Sequence, residues 1–302
     1  INLVQTAAEQ GATVLNRAPV VALLKDGADL VSGAVFRDEE SGAEHEVAAR
    51  AVVNATGPFV DGVRALDSPE LEPLIAPSQG VHLVVERGFL PGDTAIMVPR
   101  TRDKRVMFAI PWRGRTLLGT TDTPIEAAVL EPRAQEEEVA FLLETAADYL
   151  SRDPRREDVL SLFTGIRPLV RAGGAGSTAA LSRDHTVLTS DSGLITVCGG
   201  KWTTYRKMAE DVVEVAAAVG GLEEGECLTR DLPVHGGRGA HPDARPRTES
   251  NPRPEYGAGE AARRGLADQD PAMLERLHPR LPGLGAQVLW AARHEMARTV
   301  ED

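Results

Sequence analysis

At 302 residues and 42% hydrophobic content, the chain can bury a sizeable core in more than one domain. Its net charge of −12 argues against nucleic acid as a partner, because that binding needs a basic surface, but leaves room for a small anionic ligand that answers to local charge. Two cysteines, Cys198 and Cys227, are too few for a disulfide framework and suit a reducing, cytosolic setting, and no apolar run reaches the roughly 18 residues that cross a bilayer.

The chain opens on Ile1 without an initiator Met and runs directly into a helix-like pattern, so no signal peptide is expected. Residues 1–10 carry Leu3, Val4, Ala7 and Ala8 at helical spacing, and Gly11 follows as a helix terminator. Residues 13–24 read as extended chain. Residues 30–36 and 45–53 read as a hairpin around the polar loop 37–42, and the second strand ends in Val53-Asn54-Ala55-Thr56-Gly57-Pro58. Short β stretches follow at 81–85, 95–98, 106–110 and 116–119. An amphipathic helix is expected over 136–150, with Val139, Leu142, Leu143, Ala146 and Leu150 on one face.

Residues 187–188 and 194–198 return to strand character, the latter running into Gly199-Gly200, and 203–219 reads as a helix. Residues 236–254, rich in Gly, Pro and Arg, read as a surface loop. The last stretch, 255–302, is helical in pattern and still running at Asp302, so a chain cut at both ends is expected. Gly257-Ala258-Gly259-Glu260-Ala261-Ala262 has glycine spacing without a preceding strand, and His294-Glu295 lacks a second His, so neither a nucleotide turn nor a metal site is expected there.

Three groups carry chemistry. Small residues where a buried strand ends, Asn54, Ala55, Thr56 and Gly57, let backbone approach a ligand closely. A strand, a Gly199-Gly200 turn and a helix start at Lys201, Trp202, Thr203 and Thr204 favour negative charge, with Thr203 or Thr204 as cap. Polar residues of the β-rich segment supply the third: His82 as a base, Thr120-Thr121-Asp122-Thr123, and Arg167 and Arg183 as planar forks for phosphate. Taken alone, each of these has a bland alternative: a turn, a capped helix or a surface ion pair.

In this order the motifs resemble the flavin-dependent glycerol-3-phosphate dehydrogenase family. The matching stretches include Gly80-Val81-His82-Leu83, Phe108-Ala109-Ile110-Pro111-Trp112, Leu118-Gly119-Thr120-Thr121-Asp122-Thr123, Gly165-Ile166-Arg167-Pro168-Leu169, Leu181-Ser182-Arg183-Asp184-His185 and Gly199-Gly200-Lys201-Trp202-Thr203-Thr204. Phe59 and Trp202 depart mildly from the family's Trp and Leu. The resemblance implies an α/β (α+β) fold: a remnant of a two-dinucleotide-binding FAD domain over 1–75, a largely antiparallel substrate domain over 76–192, a closing strand and helix over 193–222 and a helical piece over 223–302.

It also implies oxidation of sn-glycerol 3-phosphate to dihydroxyacetone phosphate, with FAD as cofactor and membrane quinone as acceptor. His82, Arg167 and Lys201 would be catalytic, Arg167, Arg183 and Thr121 would bind substrate, and 54–57 and 199–204 would contact FAD. Peripheral attachment to the inner face of the cell membrane and a homodimer are further expectations. The family's opening strand, G-x-G-x-x-G turn and helix are not in this sequence, so weakened FAD binding and a weak or inactive chain are expected. The alternatives are a related amine or hydroxy-acid oxidase and a non-catalytic substrate-binding fragment.

Overall fold

A computed structural model describes residues 1–99, 101, 105–171, 184–223 and 225–235. The chain divides into two units, Ile1–Ala18 with Asp38–Gly42 and Glu226–Asp302, and Pro19–Arg37 with Ala43–Gly225. In the first, helix α1 (Asn2–Glu9) is tied to the segment around His235. The Thr6 hydroxyl accepts the His235 N–H at 2.8 Å, and Asn2 donates to the His235 carbonyl at 2.8 Å. Gly11 follows at φ +93°, a left-handed residue where the predicted terminator stands.

The second unit contains three sheets. In the first, β1 (Val20–Lys25), β2 (Val31–Arg37) and β3 (Glu44–Ala48) pair antiparallel in that order. The strand expected over 45–53 is therefore two strands. β3 is exposed along its length, whereas β4 (Val53–Asn54) leaves for another sheet, with the Val52 carbonyl accepting the Ile195 N–H. A 3-10 turn at Gly57–Phe59 and helix α2 (Val60–Asp67) follow, and neither is marked by the sequence pattern.

The main sheet contains β5 (Ile75–Glu86), β6 (Ile96–Val98), β7 (Met107–Trp112), β8 (Arg115–Gly119), β9 (Thr123–Pro124) and β10 (Val159–Val170). Its order is β10-β5-β8-β7-β6, with β9 also on β5, and every pairing is antiparallel. Helix α3 (Glu136–Ala147) covers one face. Val139, Leu142, Leu143 and Ala146, the predicted stripe, pack on Val81, Leu83, Val85 and Leu118. Each fully buried Leu or Val of this layer is worth about 1.5–3 kcal/mol. The opposite face carries Phe108 and Phe163 exposed on it.

Strand β10 went unmarked because Gly165 and Pro168 interrupt its pattern. It is an edge strand, where a missing N–H is tolerated. The third sheet joins β11 (His185–Thr189), β12 (Ile195–Gly199) and β4, and β12 pairs with β4 in parallel. A 3-10 turn at Trp202–Thr204 leads into helix α4 (Tyr205–Gly220), closed by left-handed Gly221. Among the described residues, no helix is long and apolar enough to cross a membrane.

Candidate functional site

The open face of the main sheet is set by register. Across the β5–β10 ladder, Ser78 faces Arg167, Gly80 faces Gly165 and His82 faces Phe163. Side chains alternate along a strand, so these six residues share one face while Val81 and Leu83 point into the core. The face carries a floor of glycines: Gly80, Gly165 and, opposite His82 on β8, Gly119.

Two of those glycines lie under the side chains of Arg167 and His82. The Arg167 guanidinium lies over Gly80, where an added β-carbon would stand 2.5 and 2.7 Å from its terminal nitrogens. Arg167 donates to Thr120 Oγ1 at 3.1 Å and sits 3.4 Å from Asp122 Oδ1. Asp122 also accepts from the Ser78 hydroxyl and pairs with Arg105 at 3.3 Å. Among the described residues, the Asp122 carboxylate thus pairs with both guanidinium groups. Gly119 lies likewise under His82, since a β-carbon there would overlap the imidazole. The His82 ring stacks on Phe163, with centroids 4.9 Å apart and planes 6° from parallel. Burial first, and then the Arg167 cation, hold the imidazole below the usual histidine range, so it is neutral near pH 7 and able to accept a proton.

Thr121 is brought to a different place. It is buried, its hydroxyl donating to Glu138 Oε1 at 2.9 Å and accepting the Val81 N–H at 2.9 Å. That proton is already committed to tying α3 to the sheet, and the neighbouring Thr120 is the threonine that meets Arg167. Arg183 lies outside the described residues. Sequence reasoning grouped Thr120 and Asp122 with His82 and Arg167 but missed Phe163 and the three floor glycines as parts of one surface. Only the paired strands, 85 residues apart in the chain at Arg167 and His82, bring them together.

The second group of predicted residues gathers at the carboxyl ends of the adjacent parallel strands β4 and β12, where α/β sheets bind ligands. Asn54 is buried and organises its turn. It donates to the Val60 carbonyl at 2.9 Å and accepts the Thr56 hydroxyl at 2.7 Å. Gly57 adopts φ +56° with open space where a β-carbon would be. Gly199 and Gly200 adopt φ +75° and +72°, and β-carbons there would meet the Asp184 carbonyl and Met208. Thr204 stands at the start of α4, but its hydroxyl accepts the Lys201 N–H at 3.1 Å, so it fastens the turn and does not cap the helix. Trp202, 76% exposed, stacks on Tyr205.

A cleft of about 380 Å³ joins the two groups, lined by residues 166–169 and 199–202, and so by both Arg167 and Lys201. A left-handed Gly199-Gly200 turn beside the Lys201 cation, at the carboxyl end of β12, fits the FAD that the resemblance implies. Among the described residues no cluster of His, Cys, Asp or Glu gathers as a metal site.

Comparison with known proteins agrees with this architecture. The family described as FAD dependent oxidoreductase matches residues 1–206. A mitochondrial glycerol-3-phosphate dehydrogenase of Arabidopsis thaliana is 44% identical over 246 residues, 81% of this chain and 39% of that protein. The human mitochondrial enzyme of the same name is 43% identical over 77% of this chain and 33% of its own length. The crystal structure of a glycerol-3-phosphate dehydrogenase from Bacillus halodurans, complexed with FAD, superposes with a TM-score of 0.70 at 32% identity. It covers 87% of this chain, which spans 49% of that structure. The chain thus spans under half the length of each of these three proteins.

Proposed function

The chain belongs to the FAD-dependent oxidoreductase family, and on that premise we propose that it carries the substrate face of an enzyme oxidising sn-glycerol 3-phosphate to dihydroxyacetone phosphate. One observation carries the substrate assignment: a fork-shaped cation laid on the glycine floor, with a neutral imidazole beyond it on the same face. Residues 76–192 supply this substrate side, and residues 54–57 and 199–204 the cofactor side.

Arg167 binds the phosphate through paired N–H groups, with Thr120 and Asp122 fixing the plane of the fork. His82 takes the proton of the C2 hydroxyl at an imidazole nitrogen as the C2 hydrogen leaves. FAD, when bound, supplies the hydride acceptor. Lys201 places a positive charge at the Gly199-Gly200 turn, and Arg183 adds a second fork for the substrate. Electrons pass on to membrane quinone, with the protein attached peripherally at the cytoplasmic face as a homodimer.

The test is steady-state oxidation by the FAD-loaded protein with a quinone analogue, comparing glycerol 3-phosphate with glycine and sarcosine. Turnover of the phosphate ester alone supports the assignment. Preference for an amino acid would place the chain among the amine oxidases, where a carboxylate takes the arginine.

A further inference from the structure

We infer that Gly165 determines substrate specificity, by keeping clear the space above the sheet that the substrate's short carbon chain occupies; this rests on the substrate face proposed above. Glycine inside a strand costs about 0.5–1 kcal/mol relative to alanine, so its presence asks for a cause. The usual causes are a bulge, a strained backbone, or the close approach of another backbone or of a ligand.

The first three are absent at Gly165. The ladder with β5 runs without a register shift from Ser161 to Val170, so there is no bulge. Its φ lies outside the left-handed region. A β-carbon built on it meets nothing within 4 Å, so no neighbouring backbone or side chain among the described residues claims the space. Gly80 and Gly119 are different, since Arg167 and His82 fill the volume above them.

Close approach of a ligand is what remains, and the position suits it. Gly165 lies on the open face between Arg167 and Phe163, directly across from Gly80, over which the guanidinium is folded. Two residues of strand span about 7 Å. A molecule held by phosphate at the guanidinium over Gly80 and by a hydroxyl at His82, two residues farther along β5, runs alongside this bare stretch. The class selected is a phosphorylated alcohol with a short, unbranched chain.

Gly165→Ala and Gly165→Val in the FAD-loaded protein test this. The melting temperature should not fall, and the visible flavin absorption should be retained. The KM for glycerol 3-phosphate should rise about tenfold or more with alanine, and further with valine. Inhibition by inorganic phosphate, which needs only the arginine end, should change by less than about twofold. An unchanged KM for glycerol 3-phosphate overturns the inference. So does an equal weakening of phosphate, because alanine would then have moved Arg167. Arg167→Ala run in parallel separates the two readings. If it leaves KM unchanged while Gly165→Ala raises it, the phosphate assignment fails and the steric role of Gly165 stands.

Discussion

Arg167 and Gly80 lie on neighbouring strands in such a way that the guanidinium of one occupies the volume where the other would carry a side chain. The arginine is thereby held against the sheet, and the glycine belongs to the proposed anion site as much as the cation does.

Gly80→Ala should therefore act like a partial loss of Arg167. A charge-assisted contact is worth about 1.5–3 kcal/mol, so kcat/KM for glycerol 3-phosphate should fall at least about tenfold in Gly80→Ala and further in Arg167→Ala. Steady-state kinetics on both variants, with flavin content measured alongside, checks this. Full activity in Gly80→Ala would remove the guanidinium from substrate binding.

His82 should govern the acid side of the pH profile. Burial and the Arg167 cation lower its pKa, so the working neutral form persists below the usual value of about 6.5. The acid limb of kcat/KM should lie below that pH, and Arg167→Met should move it upward. His82→Gln should lower kcat by about 10²–10⁴-fold. The same shift bears on folding. The unfolded chain protonates this histidine at higher pH than the folded chain, so stability contributed here is lost as pH falls from about 6.5 through the folded value. Melting curves across that range report it.

Glu138 is a buried carboxylate satisfied by neutral donors: Thr121 at 2.9 Å, Thr123 at 2.6 Å, Gln79 at 2.5 Å and the Gln135 N–H at 2.9 Å. Glu138→Ala strands those donors in the interior and should cost about 3 kcal/mol in a denaturation experiment. The KM for substrate should rise as well, because Thr121 adjoins the Thr120 and Asp122 that orient Arg167. A melting temperature equal to the parent's would show that water replaces the carboxylate without loss.

Gly199 and Gly200 should be needed for cofactor retention. Both are left-handed, and both have neighbours where a β-carbon would go, so alanine at either brings strain of about 1–3 kcal/mol and a displaced turn. Each variant, loaded with FAD and desalted, should retain less visible absorption than the parent. Equal retention would exclude this turn from the cofactor site.

The sequence marks α1, α3, α4 and most strands because their apolar residues repeat at the right period, as α3 shows with Val139, Leu142, Leu143 and Ala146. It marks His82, Arg167 and Lys201 through the family motifs in which they stand, since each taken alone reads as readily as a structural or surface residue. It cannot mark the relation between them. Strand β10 carries Gly165 and Pro168, which read locally as breaks, and its identity as a strand comes from β5, far away in the chain. Thr120 and Thr121 differ only in which way a short irregular segment turns, and spacing does not decide that. Gly80, Gly119 and Gly165 look alike in one dimension, yet one lies under a cation, one under an imidazole and one under open space.

The long β5–β10 ladder works as a ruler. Its rungs fix the separation of the anion-binding end from the proton-accepting end, and no loop contributes to that length. An insertion in the Arg113-Gly114 turn between β7 and β8 would leave those rungs untouched, whereas a slip of one residue would turn Arg167 toward the α3 side and erase the proposed site in a single step. Selection for substrate length in this protein therefore falls on hydrogen-bond register before it falls on any side chain.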